Sequence, residues 1–191
     1  AKPLDPRTAG TLHLGAAAVP ATLVLHTDAE VAPGATTLAR LHLDTPVAAM
    51  ANDRFVLRGF ADVPGHGKTL GGGHVLQLAG GAYALRLKGP RLRDHVQALD
   101  LADTNERVRL MVAAAGHLGL SFDELLARTA VGPALLQTTL NRLKHGGKVH
   151  EIPDNPKRFV EDEVLGRLAE RISVLLTRYH DAHPVDAGMR R

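Results

Sequence analysis

Three groupings of residues in this 191-residue chain have types and spacings that could do chemistry, and the neighbours of each decide what it can do. Gly67-Lys68-Thr69 has the ending of a phosphate-cradling loop. Such a loop needs a glycine five positions earlier, so that consecutive backbone N–H groups can curl round phosphates, and it must open a helix. Asp62 stands there instead, a carboxylate where phosphates would sit, and the segment leads into Gly71-Gly72-Gly73. A hairpin loop between strands is the better reading. Eleven histidines raise the question of a metal, with His180 and His183 three apart and His145 and His150 five apart. Ligation needs three or four converging donors, helped by carboxylate or thiolate, and no such cluster is visible. No G-x-S-x-G nucleophile turn occurs. The sequence therefore predicts no catalytic residue, no metal and no cofactor in this stretch.

The remaining grouping is cationic. Arg54 and Arg58 flank Phe55-Val56-Leu57. On a strand they share one face and lie about 13 Å apart, a separation that suits two backbone phosphates and equally suits two solvated side chains. Downstream, Arg142 and Lys144 lie in a stretch with helical spacing. Lys148, Lys157 and Arg158 border a short hairpin pattern. A helix and hairpin so decorated can meet a nucleic-acid groove or its phosphates. Glu151, Asp154 and the run Glu161-Asp162-Glu163 dilute that positive field, and a solvated face stands as the alternative.

The elements that must carry these residues differ between the two halves. Leu38 to Asp44 alternates with period two, the pattern of a half-buried strand. Thr22 to His26, Arg54 to Arg58 and Val75 to Leu78 read as further strands, with glycine and proline between them. From Thr104 onward the spacing turns helical. Val108 to Ala115 forms one helix ending near Gly116. Ser121 with Glu124 makes a capping box for the next. Gly132-Pro133 opens a third, which Gly146-Gly147 closes. Lys148 to Ile152 and Lys157 to Val160 then form a wing around Pro153-Asp154-Asn155-Pro156, and a last helix runs from about Glu161 to Tyr179. Three helices and a two-stranded wing are the order of a winged helix, a relative of the helix-turn-helix.

Composition agrees with a folded, core-bearing protein. Hydrophobic residues make up 45% of the chain and charged residues 23%. Aromatics are only 3%, without tryptophan, so the core is aliphatic and stacking platforms for many bases are excluded. A net charge of +3 does not force a nucleic-acid role, although a local patch is compatible with it. There are no cysteines, hence no disulfides and no thiolate metal site. No apolar run is long enough to span a membrane, and no signal peptide is visible.

Three passages together resemble a known family. Pro46-Val47, Asn52-Asp53-Arg54-Phe55-Val56-Leu57-Arg58 and Thr69-Leu70-Gly71-Gly72-Gly73-His74-Val75 resemble the third domain of the elongation factor Tu superfamily. Leu12-His13-Leu14-Gly15 with Val19-Pro20-Ala21 resembles an earlier strand of the same barrel, and Tyr179 to Arg190 resembles a linker between winged helices of the selenocysteine-specific branch. The resemblance implies a mixed fold of two domains. Residues 1–88 would be a six-stranded β-barrel, with its first strand missing or altered. Residues 89–178 would be an α+β winged helix, and 179–191 a linker to a further one. It also implies a tRNA contact at Arg58, with Gly59 admitting a sugar-phosphate and Arg54 as a second candidate. Two departures stand out: Asn52 replaces the usual glycine before Asp-Arg-Phe, and Ala16 replaces a frequent threonine.

The function so implied is part of an elongation factor that delivers selenocysteinyl-tRNA to the ribosome at recoded stop codons. The barrel would help hold the tRNA. The winged helix would link to downstream domains that bind an mRNA hairpin. GTP and Mg would belong to a GTPase domain upstream, the location would be cytoplasmic, and no membrane would be involved. A reading from another class is a winged-helix transcription regulator whose β domain binds a ligand or partner. It would need dimerisation and a denser set of cations on the third helix.

Overall fold

A computed structural model describes residues 3–26, 29–59, 68–79 and 87–183. The chain divides into two compact units, 1–102 with 127–130, and 103–126 with 131–191.

The first unit is built on five antiparallel strands in the order β3-β2-β1-β4-β5. β1 (Arg7–Leu14) and β2 (Ala17–Leu25) form a hairpin in which Leu14 faces Ala17. Its two-residue loop holds Gly15 at φ 56°, the positive value that tight hairpins need and that only glycine adopts freely. β3 (Ala39–Leu43) pairs with β2, and β4 (Arg54–Arg58) pairs with β1. β5 (Thr69–His74) completes the sheet beside β4. Alternation sends Leu12, Leu14, Ala21, Leu23, Leu25 and Leu57 inward, where Phe55, Leu41, Leu43 and Leu70 pack on them. The fold class expected from sequence, β followed by α+β, holds. The barrel is an open five-stranded sheet among the described residues, because β3 and β5 are its edges and do not pair.

Two expectations about strands are corrected. Val75–Leu78 is not a strand; the fifth strand is the glycine-rich segment before it. A Cβ on Gly72 would lie 2.8 Å from the Phe55 carbonyl oxygen, and one on Gly73 would lie 2.9 Å from the Phe55 ring. The ring lies over the bare backbone of its cross-strand partner Gly73, so β4 supplies the apolar cover that the glycines lack. The second correction is to β2, which extends well before Thr22. The hairpin loop expected over the Gly67 region falls mostly on residues 60–67, which lie outside the described residues.

α1 (Pro90–Leu101) has no counterpart among the expected elements. Gly89-Pro90 repeats the glycine–proline opening recognised at Gly132-Pro133. The division expected between residues 88 and 89 thus falls inside the first compact unit, which includes α1 and runs to Ala102. His95 of α1 is buried and lies 2.9 Å from Gln77 Oε1, to which its Nε2–H donates. Burial lowers the His95 pKa, which favours this neutral form.

The second unit has the winged-helix order. α2 (Thr104–Ala115) is capped by Asp103, whose Oδ1 accepts from Glu106 N at 2.8 Å. A 3₁₀ turn, Gly116–Leu118, leads to β6 (Leu120–Ser121) and α3 (Phe122–Thr129). The expected capping box is formed: Glu124 N donates to Ser121 Oγ at 3.2 Å, and Ser121 N donates to Glu124 Oε2 at 2.7 Å. α4 (Pro133–His145) follows, then the wing strands β7 (Val149–Ile152) and β8 (Arg158–Glu161). β8 also pairs with β6, a third strand too short to show in the sequence. α5 (Asp162–Ala182) runs beyond Tyr179, so the first residues assigned to a linker are helical. The rest of that linker, 184–191, lies outside the described residues.

Aliphatic side chains fill this unit's core: Val108, Met111, Val112, Leu125, Leu136, Leu140 and Val149 are each at most 1% exposed. Glu161, nearly buried, accepts from Arg109 Nη1 at 2.7 Å. The same guanidinium grips both Glu106 oxygens through Nη2 and Nε, at 2.6 and 2.9 Å. One arginine thus ties α2 to the end of β8.

Gly119 marks the tightest approach in the unit. It has φ 60°, and a Cβ there would lie 2.4 Å from the Phe159 carbonyl oxygen. Gly116 has a similar φ of 64° with open space where its Cβ would go. Gly119→Ala is therefore expected to cost about 1–3 kcal/mol more than Gly116→Ala, measured as the difference in urea-unfolding free energy. Equal losses would show that backbone conformation alone sets the need for glycine.

Candidate nucleic-acid interface

The candidate site starts from the pleat of the first unit's sheet. One face is buried, so every second side chain faces solvent. Register fixes which ones lie abreast. Arg40 on β3 is level with Val24 on β2 and Arg7 on β1. His42 shares a row with Thr22 and Ala9, and Pro20 shares one with Thr11 and Arg58. His13 lies level with Val56 and Gly72, and Arg54 lies opposite His74. Every arginine and histidine in the five strands is on this one face. None of the strands contains an aspartate or glutamate.

The face spans about 19 Å across the strands and about 26 Å along β1, from strand spacing and rise. Asp100 of α1 reaches its edge, 3.9 Å from His74 Nε2. At the opposite edge His26 has its pKa lowered below the ordinary histidine value, first by burial and then by the charges of Arg40 and Arg93. It is consequently neutral at pH 7, and the local field is set by the two guanidiniums.

Arg54 and Arg58 stand where the sequence predicted, on the solvent side of β4, with Val56 between them 42% exposed. Arg58 sits at a register shift: Leu57 faces Gly71 but Arg58 faces Thr69, so Leu70 is the extra residue. Such a bulge re-aims neighbouring side chains. Gly59 donates its N–H to the Lys68 carbonyl at 2.7 Å, and its missing Cβ faces the Leu70 side chain at 3.3 Å. Its smallness therefore admits Leu70. Gly10 was not singled out by the sequence reading. A Cβ on it would lie 2.5 Å from the Arg58 carbonyl oxygen, so Gly10 lets β1 close on the backbone of Arg58. A lone glycine inside an apolar alternation was the available signal. Asn52 does adopt a left-handed conformation, with φ 68°.

The five winged-helix candidates are differently placed. Lys144 and Lys157 both donate to Glu151, at 2.7 Å to Oε2 and 2.7 Å to Oε1. Arg158 donates to the carbonyls of Leu118 and Gly119 and to Glu124 Oε2, at 2.6, 3.0 and 3.0 Å. It fastens the wing to the turn before α3. Arg142 reaches Asn105 Oδ1 at 3.4 Å. Lys148 is exposed, with its backbone held by Leu143 and Asp162. Four of these five side chains thus already serve contacts within the unit. No group of three or more histidines or acids suited to a metal occurs among the described residues.

A small antiparallel β domain followed by a winged helix is the class that this fold defines. Residues 1–82 match the family model described as the beta-barrel domain of selenocysteine-specific elongation factor. The chain is also 28% identical, over 99% of its length, to the selenocysteine-specific elongation factor of Desulfomicrobium baculatum. It spans 29% of that relative's length. Residues 1–82 are thus similar to the β-barrel domain of selenocysteine-specific elongation factors (SelB), and the chain as a whole is similar to a segment of such a factor.

The wing offers a test of how firmly its lysines are held. Hydrogen bonds from Lys144 and then Lys157 lower the Glu151 pKa from 4.5 to about 2. A depressed carboxylate pKa contributes stability that is complete above the unfolded value and is lost as pH falls through the folded one. The wing contacts are therefore expected to persist at pH 5 and to be lost between about pH 4.5 and 2. Carboxyl NMR titration of Glu151 checks this, and a midpoint near 4.5 would show that the two lysines are free.

Proposed function

We propose that this chain belongs to the part of a selenocysteine-specific elongation factor that holds selenocysteinyl-tRNA, with the sheet of the first unit as an RNA-backbone platform. The observation that carries the reading is the sheet face on which Arg7, Arg40, Arg54 and Arg58 lie together, built from five strands that contain no aspartate or glutamate. A sheet face of this kind offers guanidiniums to several phosphates without reading bases. The match of residues 1–82 to that factor's β-barrel domain supports selenocysteinyl-tRNA as the RNA. Its low aromatic content suits backbone contact rather than base stacking.

In this reading the winged helix is a spacer. It links the tRNA platform to domains that recognise the recoding hairpin in mRNA. Its cations are mostly engaged within the fold, which suits such a role better than groove reading. GTP and Mg would act in another part of the factor, and the ribosome would be the shared partner. No described helix is long and apolar enough to cross a membrane, and a translation factor would work in the cytoplasm.

Filter binding to selenocysteine tRNA and to duplex DNA of similar length, over a range of salt, tests the proposal. The tRNA is expected to be preferred. Its affinity should fall with salt, as counterion release requires. Arg58→Ala and Arg54→Ala should each weaken binding by about three- to tenfold and reduce the salt slope by about one. Arg142→Ala should change it less than twofold. Equal or tighter binding to DNA, with the loss at Arg142 rather than Arg58, would move the regulator reading ahead.

A further inference from the structure

α5 is anchored to its unit only near its start. Val164 is buried and Leu165 and Leu168 are half-buried, but every residue from Ala169 to Arg178 is exposed. This exposed length is not polar. Ile172, Val174, Leu175 and Leu176 are 47, 50, 55 and 43% exposed. Leu165, Leu168, Ile172, Leu175, Tyr179 and Ala182 recur in alternating steps of three and four, the seam of a helix that packs lengthwise against another. The stretch beyond Ala169 is about 20 Å long. A helix of that length gains most of its stability from an amphipathic face that is covered.

Charge selects the cover. At about 100° per residue, Arg167, Arg171 and Arg178 fall on one edge of the seam. Arg167 lies 3.6 Å from Glu163. Arg171 and Arg178, two turns apart, have no ion pair among the described residues. Glu163, Glu170 and Asp181 lie on the side opposite the seam. A lipid surface fits poorly, because helices that bind it carry net positive charge, whereas α5 has three arginines against four carboxylates. Nucleic acid does not cover an apolar seam. A second copy leaves the arginines unanswered: antiparallel pairing sets the two arginine edges against each other, and parallel pairing sets Arg171 opposite the copy's Leu176.

We propose that α5 is a docking helix, and that its partner is an amphipathic helix with an apolar seam and carboxylates along the edge facing Arg171 and Arg178. The seam supplies the buried area, and the two guanidiniums set register and orientation. This inference does not depend on what the first unit binds.

Two labelled amphipathic peptides of α5's length test it. Both have a leucine–isoleucine seam; one carries glutamate and the other lysine at the two positions facing Arg171 and Arg178. Fluorescence anisotropy with the full chain is expected to show the glutamate peptide binding about tenfold tighter, as two interhelical ion pairs allow. The double variant Arg171→Glu/Arg178→Glu should reverse that order. Leu175→Glu should abolish both while leaving the thermal midpoint unchanged, since Leu175 is exposed. Equal affinities, no binding by either peptide, or selective binding to anionic vesicles would overturn the proposal. So would a dimer in sedimentation that Leu175→Glu dissociates, because the seam would then belong to a second copy.

Discussion

The pleat of an antiparallel sheet is the constraint on which the candidate interface depends. Once one face of β1 to β5 is buried on Leu12, Leu14, Leu23, Leu25 and Leu57, no strand residue can choose its side independently. A shift of one residue would bury the arginines and expose the leucines, at a cost no small domain could bear. Register is thereby enforced by the core, and the cations inherit their common face from it. The absence of carboxylates from all five strands then gives the face its sign. Neither feature requires long-range contacts of the arginines themselves.

Glycine is what lets this sheet close up around Arg58. Gly10 brings β1 against the Arg58 carbonyl, and Gly72 and Gly73 bring β5 against Phe55. At each place a Cβ would lie under 3.0 Å from a neighbouring atom. The glycine-rich strand therefore does its work through backbone proximity, while Phe55 supplies the apolar cover. Arg58 ends up on the strand with the tightest neighbours on both sides, and a rigid strand holds a contact residue better than a loop would.

Much of this was legible in the sequence, and the gaps have physical causes. Period-two alternation located β3 and β4 and their outward residues, because one-sided burial writes itself directly into the pattern. Capping residues located α3, and Gly132-Pro133 located α4, because helix ends need side chains or proline at fixed offsets. β5 was misplaced because propensity favours Val75-Leu76 over three glycines, and the deciding partner, Phe55, lies fourteen or more residues away. β6 is two residues long and exists only by pairing with Phe159 and Arg158. α1 escaped because its N-cap, Gly89, offers no side-chain cap and only the Gly89-Pro90 step marks its start. The cations were found, but their engagement was not. Sequence spacing shows that Lys144, Lys157 and Glu151 exist, and only the folded wing shows two lysines meeting one carboxylate.

That difference in engagement separates the two units more clearly than their net charge does. In the winged helix, Glu151, Glu124 and the carbonyls of Leu118 and Gly119 absorb Lys144, Lys157 and Arg158, so positive charge is used to fasten wing, turn and helix. In the sheet, the five strands contain no carboxylate, so no strand offers the arginines an ion pair of this kind. Electrostatic attraction for a polyanion follows from uncompensated charge at a surface rather than from a count of lysines and arginines. A chain with a net charge of only +3 can therefore present one strongly cationic face, provided its acids are spent elsewhere. The winged helix is where many of them are spent.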